Sequence, residues 1–283
     1  MKIFDTAESM RAWSEEQRAS GRTIGLTPTM GALHAGHESL MRAAAGQNDV
    51  PVVSIYVNPT QFAPHEDFDN YPRTFDADCE MASRTGARAI YAPTNSAMYP
   101  EGYATYVDVE RITAGLCGVS RPHFFRGVTT VVAKLFNAVR PHRAYFGQKD
   151  AQQAAVIRRM TRDLEFGIEI VEMPIVREPD GLAMSSRNKY LSPEERQRAL
   201  CLSCGLFEAL AMLEAGERNP QTIVDAVRKA MTGVDIDYVE LVDAEEIAPV
   251  DRVRGTVLLA VAARVGDTRL IDNIKFTVPE TEE

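Results

Sequence analysis

From residue 22 to about residue 176 the chain alternates strand-like with helix-like segments, and no other feature restricts its fold so strongly. The strand-like runs are Arg22 to Thr27, Pro51 to Val57, Arg88 to Tyr91, Arg143 to Phe146 and Ile168 to Val171. Between them lie the helix-like runs Glu38 to Gln47, Phe75 to Gly86, Gly127 to Val139 and Ala151 to Leu164. Such alternation predicts an α/β domain with a parallel sheet covered by helices on both faces. Ligands of such sheets bind outside the carboxyl ends of the strands. The loops after Leu26, Val57 and Phe146 are therefore where binding residues are expected. After Asn188 the pattern changes. Ser192-Pro193-Glu194-Glu195 reads as a capping box with Pro at the first helical position, and Asn219-Pro220 opens a second helix in a similar way. Three strand-like runs follow, Asp237 to Val242, Val257 to Val265 and Arg269 to Val278, which predicts a smaller α+β domain. The acidic end, Glu280 to Glu283, is expected to fray.

Charge narrows the function. A net charge of −9 argues against a general nucleic-acid binder, although a local cluster of cations can still dominate one cleft. The N-terminal stretch has no apolar signal region, and apolar runs such as Thr256 to Ala263 are too short to span a bilayer, so a cytoplasmic protein is expected. Cys201-Leu202-Ser203-Cys204 is a lone CxxC inside a helical segment, without the second pair that a zinc site needs, and it reads as neutral helix cysteines.

The densest motif is Pro28-Thr29-Met30-Gly31-Ala32-Leu33-His34-Ala35-Gly36-His37, a glycine-bearing turn between a strand and a helix. A turn there would aim backbone N–H groups and a helix N-terminus at an anion. Gly31 and Gly36 have the glycine spacing of a P-loop, but His37 stands where that motif needs Lys and Glu38 where it needs Ser or Thr. No GxGxxG occurs in this stretch. What remains is HxGH, similar to the signature of the nucleotidyltransferase superfamily that includes class I aminoacyl-tRNA synthetases. There the two histidines donate to the α- and β-phosphates, and Gly36 would let the nucleotide approach closely. Two ordinary loop histidines are the alternative reading.

Other motifs follow strands in the same way. Asn58-Pro59-Thr60-Gln61 should project Asn58 and Gln61 into the cleft, where amides can meet hydroxyl and carboxylate groups; an ordinary Asn-Pro turn is the alternative. Gly147-Gln148-Lys149-Asp150 offers a tight turn, a mobile cation and a cap or ribose acceptor, or merely a solvated Lys-Asp pair. Met184-Ser185-Ser186-Arg187 lies in the mainly polar loop Arg177 to Asn188 and groups donors suited to phosphate, or else forms a linker. With few apolar anchors, this loop is expected to be mobile until ATP orders it. Arg121 and Arg126 flank His123-Phe124-Phe125 as a surface pair or a ligand site.

Seven strings in one register span almost the whole chain: PTMGALHAGH, VVSIYVNPTQF, YPRTFDAD, FRGVTTVVAKLFN, FGQKDAQQ, VREPDGLAMSSRNKYLS and GDTRLIDNI. Together they resemble the pantothenate synthetase family, also called pantoate–β-alanine ligase. Two departures stand out. Pro122-His123-Phe124-Phe125 replaces the usual GHF or THF, so the resemblance assigns no specific role to His123, and Pro141-His142 replaces the commoner Pro-Asp.

The resemblance implies a Rossmann-like ATP- and pantoate-binding catalytic domain over residues 1–176. A smaller α+β domain over 177–283 would begin with the MSSR loop and cover the active site. It implies an adenylate-forming ligation of pantoate with β-alanine, with His37 as the family's assigned proton donor and His34 beside it. ATP contacts are implied for Met30, Gly31, Ala32, Leu33, His34, Ala35, Gly36, His37, Gly147, Gln148, Lys149, Asp150, Val176, Met184, Ser185, Ser186 and Arg187. Gln61 and Gln153 match the pantoate-binding glutamines, with Gln61 also meeting β-alanine. Mg²⁺ would accompany ATP, held mainly by its phosphates; Asp76 and Asp78 are candidate further ligands that the sequence does not assign. A homodimer is expected, with no nucleic-acid or membrane partner. An ATP-dependent kinase and a nucleotide-binding regulator remain as alternatives, the first disfavoured by the missing Walker lysine and the second by the full set of His, Lys, Ser and Arg.

Overall fold

The computed structural model describes residues 1–63 and 68–279; the expected acidic tail, Glu280 to Glu283, lies outside them. In chain order the first elements are β1 (Lys2–Phe4), α1 (Ala7–Ala19), β2 (Ile24–Thr29), α2 (Ala35–Gln47), β3 (Val50–Ile55), α3 (Phe75–Arg84), β4 (Ala89–Tyr91) and α4 (Asn95–Met98). Then come α5 (Cys117–Ser120), α6 (Phe124–Val139), β5 (Arg143–Gly147), α7 (Ala151–Asp163) and β6 (Glu169–Met173). The remainder comprises α8 (Pro193–Glu214), α9 (Pro220–Ala230), β7 (Asp235–Asp243), β8 (Thr256–Val265) and β9 (Thr268–Thr277). Single 3₁₀ turns occupy Pro59–Gln61, Gln148–Asp150 and Ser186–Tyr190.

Strands β1 to β6 form one parallel sheet in the order β1-β4-β3-β2-β5-β6. The chain winds outward from β2 through β3 and β4 on one side, then resumes beside β2 with β5 and β6. The strand order therefore reverses at β2, the place where such sheets bind ligands. The mixed α/β class read from the sequence is the observed one. Pro28 sits within β2, which runs two residues past the expected end. Pairing of β2 with β5 stops at Leu26, whereas pairing with β3 continues to Thr29, so the strand beyond Leu26 is bonded to one neighbour only. The sheet's interior is apolar on the α2 side, where Met41 packs with Val53, Ala82, Ala87 and Ile90, and Leu40 and Ala44 pack on Tyr145.

Two compact units divide the chain: Met1–Glu110, Arg121–Gly147 and Val156–Pro174 form one, and Arg111–Ser120, Gln148–Ala155 and Ile175–Glu283 the other. Two segments before residue 176 thus cluster with the second unit. That unit holds an antiparallel sheet, β7-β8-β9, on which α8 and α9 pack through Leu202, Leu206, Leu213, Ile223 and Val227. The capping box at Ser192 and Glu195 is present as the sequence predicts, with Pro193 at the first helical position. Cys201 and Cys204 lie inside α8 as free cysteines, and burial pushes the Cys201 thiol up to about 11. Among the described residues no helix is long and apolar enough to cross a membrane.

Candidate active site

Between β2 and α2 the chain turns sharply, and the histidines stand at the end of that turn. Gly31 takes a φ of +79°, and a Cβ there would fall 2.9 Å from Asp78 Oδ2. Only glycine meets both demands. Ala32 also adopts a left-handed φ of 49°. Asp78, buried at 3% exposure, fastens this conformation: its Oδ2 accepts from Ala32 N–H at 3.0 Å and its Oδ1 from Leu33 N–H at 2.8 Å. Thr74 Oγ1 donates to the same carboxylate, and Thr29 Oγ1 accepts from Gly31 N–H.

His34 is the N-cap of α2. Its Nδ1 accepts from Gly36 N–H at 3.2 Å, while His37 Nδ1 accepts from His34 N–H at 3.3 Å. The two rings lie 4.1 Å apart. An imidazole nitrogen that accepts carries no proton, so in the neutral ring the proton sits on Nε2. The sequence reading expected the turn's backbone N–H groups to face an anion. Instead those of Gly31, Ala32, Leu33, His34 and Gly36 are bonded within the protein.

The turn after β3 departs from expectation at Asn58, which is 1% exposed. Its Oδ1 accepts from Thr60 N–H, Thr60 Oγ1 and Tyr99 O–H, and its Nδ2 donates to Gly127 O and to Gln61 Oε1. Asn58 is thus a fastener and not a cleft residue. Its bond to Gln61 Oε1 fixes that amide, directing Gln61 Nε2 toward Met30 Sδ at 3.0 Å. Burial pushes the Tyr99 phenol above its ordinary value, keeping it a donor to Asn58. Arg121 donates to Gln61 O and stacks 3.8 Å from the Phe124 ring centre, and Arg126 stacks 4.2 Å from that of Tyr106. His123 is exposed at the N-cap of α6, where its side chain makes no cap bond.

In the first unit, then, lie Met30, Gly31, Ala32, Leu33, His34, Ala35, Gly36, His37, Gln61 and Gly147; in the second lie Gln148, Lys149, Asp150, Gln153, Val176, Met184, Ser185, Ser186 and Arg187. Lys149 Nζ stands 4.0 Å from Asp150 Oδ2, and Gln153 is half-buried in the first turn of α7. The loop from Arg177 has anchors that its polar composition hides. Arg177 bridges to Ala183 as an antiparallel pair, Met184 N–H donates to Val176 O, and Leu182 and Ala183 are buried. Asn188 Nδ2 donates to Glu178 and to Ala183 O, while Arg196 pairs with Glu178 and Asp180. Ser185 caps the 3₁₀ turn by accepting from Arg187 N–H.

Among the described residues no group of three or more His, Cys, Asp or Glu could hold a metal ion. Asp78, a candidate ligand on sequence grounds, has both oxygens committed to the turn, and Asp76 is exposed.

A family model described as pantoate-beta-alanine ligase matches residues 2–275. The chain belongs to the pantoate–β-alanine ligase family. Pantothenate synthetase of Geobacter sulfurreducens is 54% identical over 276 residues, covering 96% of this chain and 98% of the relative. The crystal structure of pantothenate synthetase from Thermus thermophilus matches with a TM-score of 0.91 at 41% identity, covering 97% of this chain and 99% of that one. That of pantoate-beta-alanine ligase from Francisella tularensis, complexed with beta-gamma ATP and beta-alanine, matches with a TM-score of 0.79 at 31% identity and 97% coverage of each chain. The resemblance seen in the seven strings is therefore a family relationship, and the chain is an enzyme of this ligase class. Sequence reasoning missed the residues that fasten these motifs: Asp78 on the histidine turn, Tyr99 on Asn58, Asp272 on Arg177 and Asn273 on the carbonyls of Gln148 and Lys149. YPRTFDAD and GDTRLIDNI do contain three of them, yet a carboxylate or amide in a helix or strand carries no sign of what it holds.

Proposed function

We propose that this chain condenses (R)-pantoate with β-alanine to give pantothenate, through a pantoyl adenylate, at the expense of ATP. Pantoate carboxylate attacks the α-phosphorus; the new bond joins carboxylate oxygen to phosphorus, and the bond to the β-phosphate oxygen breaks to release pyrophosphate. The amine of β-alanine then attacks the acyl carbon, AMP leaves, and the amine's proton passes to solvent. Adenylation turns a poor electrophile into one with a good leaving group, so no enzyme nucleophile is needed.

The observation that carries this reading is the pair of capped histidines. With both Nδ1 atoms engaged, His34 and His37 offer fixed Nε2–H donors where charge develops on the α- and β-phosphates, without reorganisation at the moment of reaction. Met30 to His37, Gly147 to Asp150, Val176 and Met184 to Arg187 are assigned to ATP. Gln61 and Gln153 are assigned to pantoate, and Gln61 also to β-alanine. Gln61 suits the role, because Asn58 holds its oxygen and, of its two amide N–H groups, one is directed to Met30 Sδ and the second can donate to a carboxylate. Mg²⁺ enters with ATP, held mainly by its phosphates. A catalytic domain over 1–176, a covering domain from 177, a homodimer and a cytoplasmic location complete the proposal.

The fate of one oxygen tests it. ¹⁸O placed in pantoate carboxylate must appear in AMP after complete conversion, and pantoate must drive exchange of labelled pyrophosphate into ATP without β-alanine. Label in inorganic phosphate, with ADP as the other product, would instead mean a kinase. No transfer at all would mean a regulatory binder.

A further inference from the structure

Two adjacent residues of β9, Asp272 and Asn273, reach the two nucleotide motifs of the second unit at once. Each is 3% exposed. Successive side chains of a strand point to opposite faces. Asp272 shares its face with Leu270 and Ile274, which pack in the core formed with α8, and there it meets Arg177. Arg177 Nη1 donates to Asp272 Oδ2 at 2.6 Å and Nη2 to Oδ1 at 3.0 Å; Nη1 also donates to Gly181 O at 3.0 Å. The guanidinium thereby ties the strand to the tip of the hairpin that leads into Met184-Ser185-Ser186-Arg187. On the other face, Asn273 Nδ2 donates to Gln148 O at 2.9 Å and Lys149 O at 3.0 Å, and its Oδ1 accepts from Gln148 Nε2 at 3.2 Å. Those carbonyls belong to the 3₁₀ turn that carries Lys149. Asn273 N–H closes the pair by donating to Asp272 Oδ1 at 2.7 Å.

Such a pair is a costly choice at the buried centre of a strand, between Leu270 and Ile274 of the core. A buried ion pair commonly contributes less stability than apolar side chains of the same volume, and its attested use is to fix register. The fully paired amide likewise adds direction more than burial.

We propose that Asp272 and Asn273 are positioning residues that hold the Gln148–Asp150 turn and the Val176–Arg187 loop in one frame, so that Lys149 and the Ser-Ser-Arg group meet the same ATP. This rests on the assignment of both segments to ATP.

Pyrophosphate exchange, read as apparent KM for ATP and for pantoate, tests it together with amide hydrogen exchange and melting. Asn273→Ala removes three hydrogen bonds and is expected to raise the ATP KM by about tenfold or more, to leave the pantoate KM within about twofold, and to speed exchange at residues 149–151. Asp272→Asn is expected to act alike, with faster exchange at residues 178–184. The milder Asn273→Ser and Arg177→Lys, each keeping one donor or the charge, should give intermediate ATP KM values and serve if a stronger variant does not fold. Lys149→Ala separates the two levels of the argument. If it raises the ATP KM while the β9 variants lower only the melting temperature, the pair is merely structural and the proposal is overturned. If it leaves the ATP KM unchanged, the assignment of the turn to ATP fails and takes the proposal with it.

Discussion

Replacing Asp78 by Asn keeps the shape of the side chain but exchanges one acceptor for a donor, directly beneath the N–H groups of Ala32 and Leu33. One of those groups then faces a donor in a buried place, a defect worth roughly 1–3 kcal/mol. The strained turn before His34 should relax, and Asp78→Asn is expected to slow adenylation by about tenfold or more with little change in ATP KM. Single-turnover formation of pantoyl adenylate measures this, and a wild-type rate would show that the carboxylate does not set the histidines. His37→Ala, and His34→Ala similarly, should cost about 10²–10³ in the same rate, the usual loss for one preorganised donor. Near wild-type adenylate formation in His37→Ala would remove the imidazole from the reaction. The histidines were legible in the sequence because four residues with a fixed spacing carry them. Asp78 was not, because its partners lie 46 and 45 positions away and a carboxylate in an amphipathic helix resembles a solvated one.

At the scale of elements, α6 and the turn Pro59–Gln61 touch so closely that a Cβ on Gly127 would lie 2.4 Å from Thr60 O. That atom is backbone and cannot swing aside. Gly127→Ala must therefore push the turn and helix apart, at the cost of about 1–3 kcal/mol typical of overpacking. Gln61 rides on this turn, so apparent affinity for pantoate is expected to fall well beyond that for ATP, as calorimetry with each ligand would measure. Equal losses for both ligands would place the effect elsewhere. The helix itself was legible from Gly127 onward; its first turn, Phe124 to Arg126, was not, because Phe124-Phe125 beside two arginines gives no clear helical period. Strands β3, β5 and β8 were legible from apolar runs bounded by turn residues. Only three residues long and mostly exposed, β1 had no such pattern to read.

Across the whole molecule, pH should reveal the departure at Pro141-His142. His142 Nδ1 accepts from Ile24 N–H at 2.9 Å at the start of β2, work that an Asp could also do. Burial, aided by the charges of Arg18 and Arg143, pushes the imidazole below its ordinary value of 6.5. The unfolded chain therefore takes up the proton before the folded one does, so this contribution to stability is complete above that ordinary value and is lost as pH falls below it. Melting temperature is expected to drop less between about pH 7 and about pH 5 in His142→Asn, which keeps an acceptor but does not titrate, than in wild type. Parallel curves would mean that the histidine is silent.

The distribution of partners along the chain also sets an order in time. The partners that bond the N–H groups of Gly31, Ala32 and Leu33 have been made once Asp78 is in place, whereas the turn Gln148–Asp150 waits for Asn273, 125 positions after Gln148. A ribosome-bound chain can therefore fasten the turn before His34 long before it can arrange Lys149. The turn that carries Lys149 is held only after β9 has been made, and proteolysis that removes β9 is expected to loosen that turn while the parallel sheet persists.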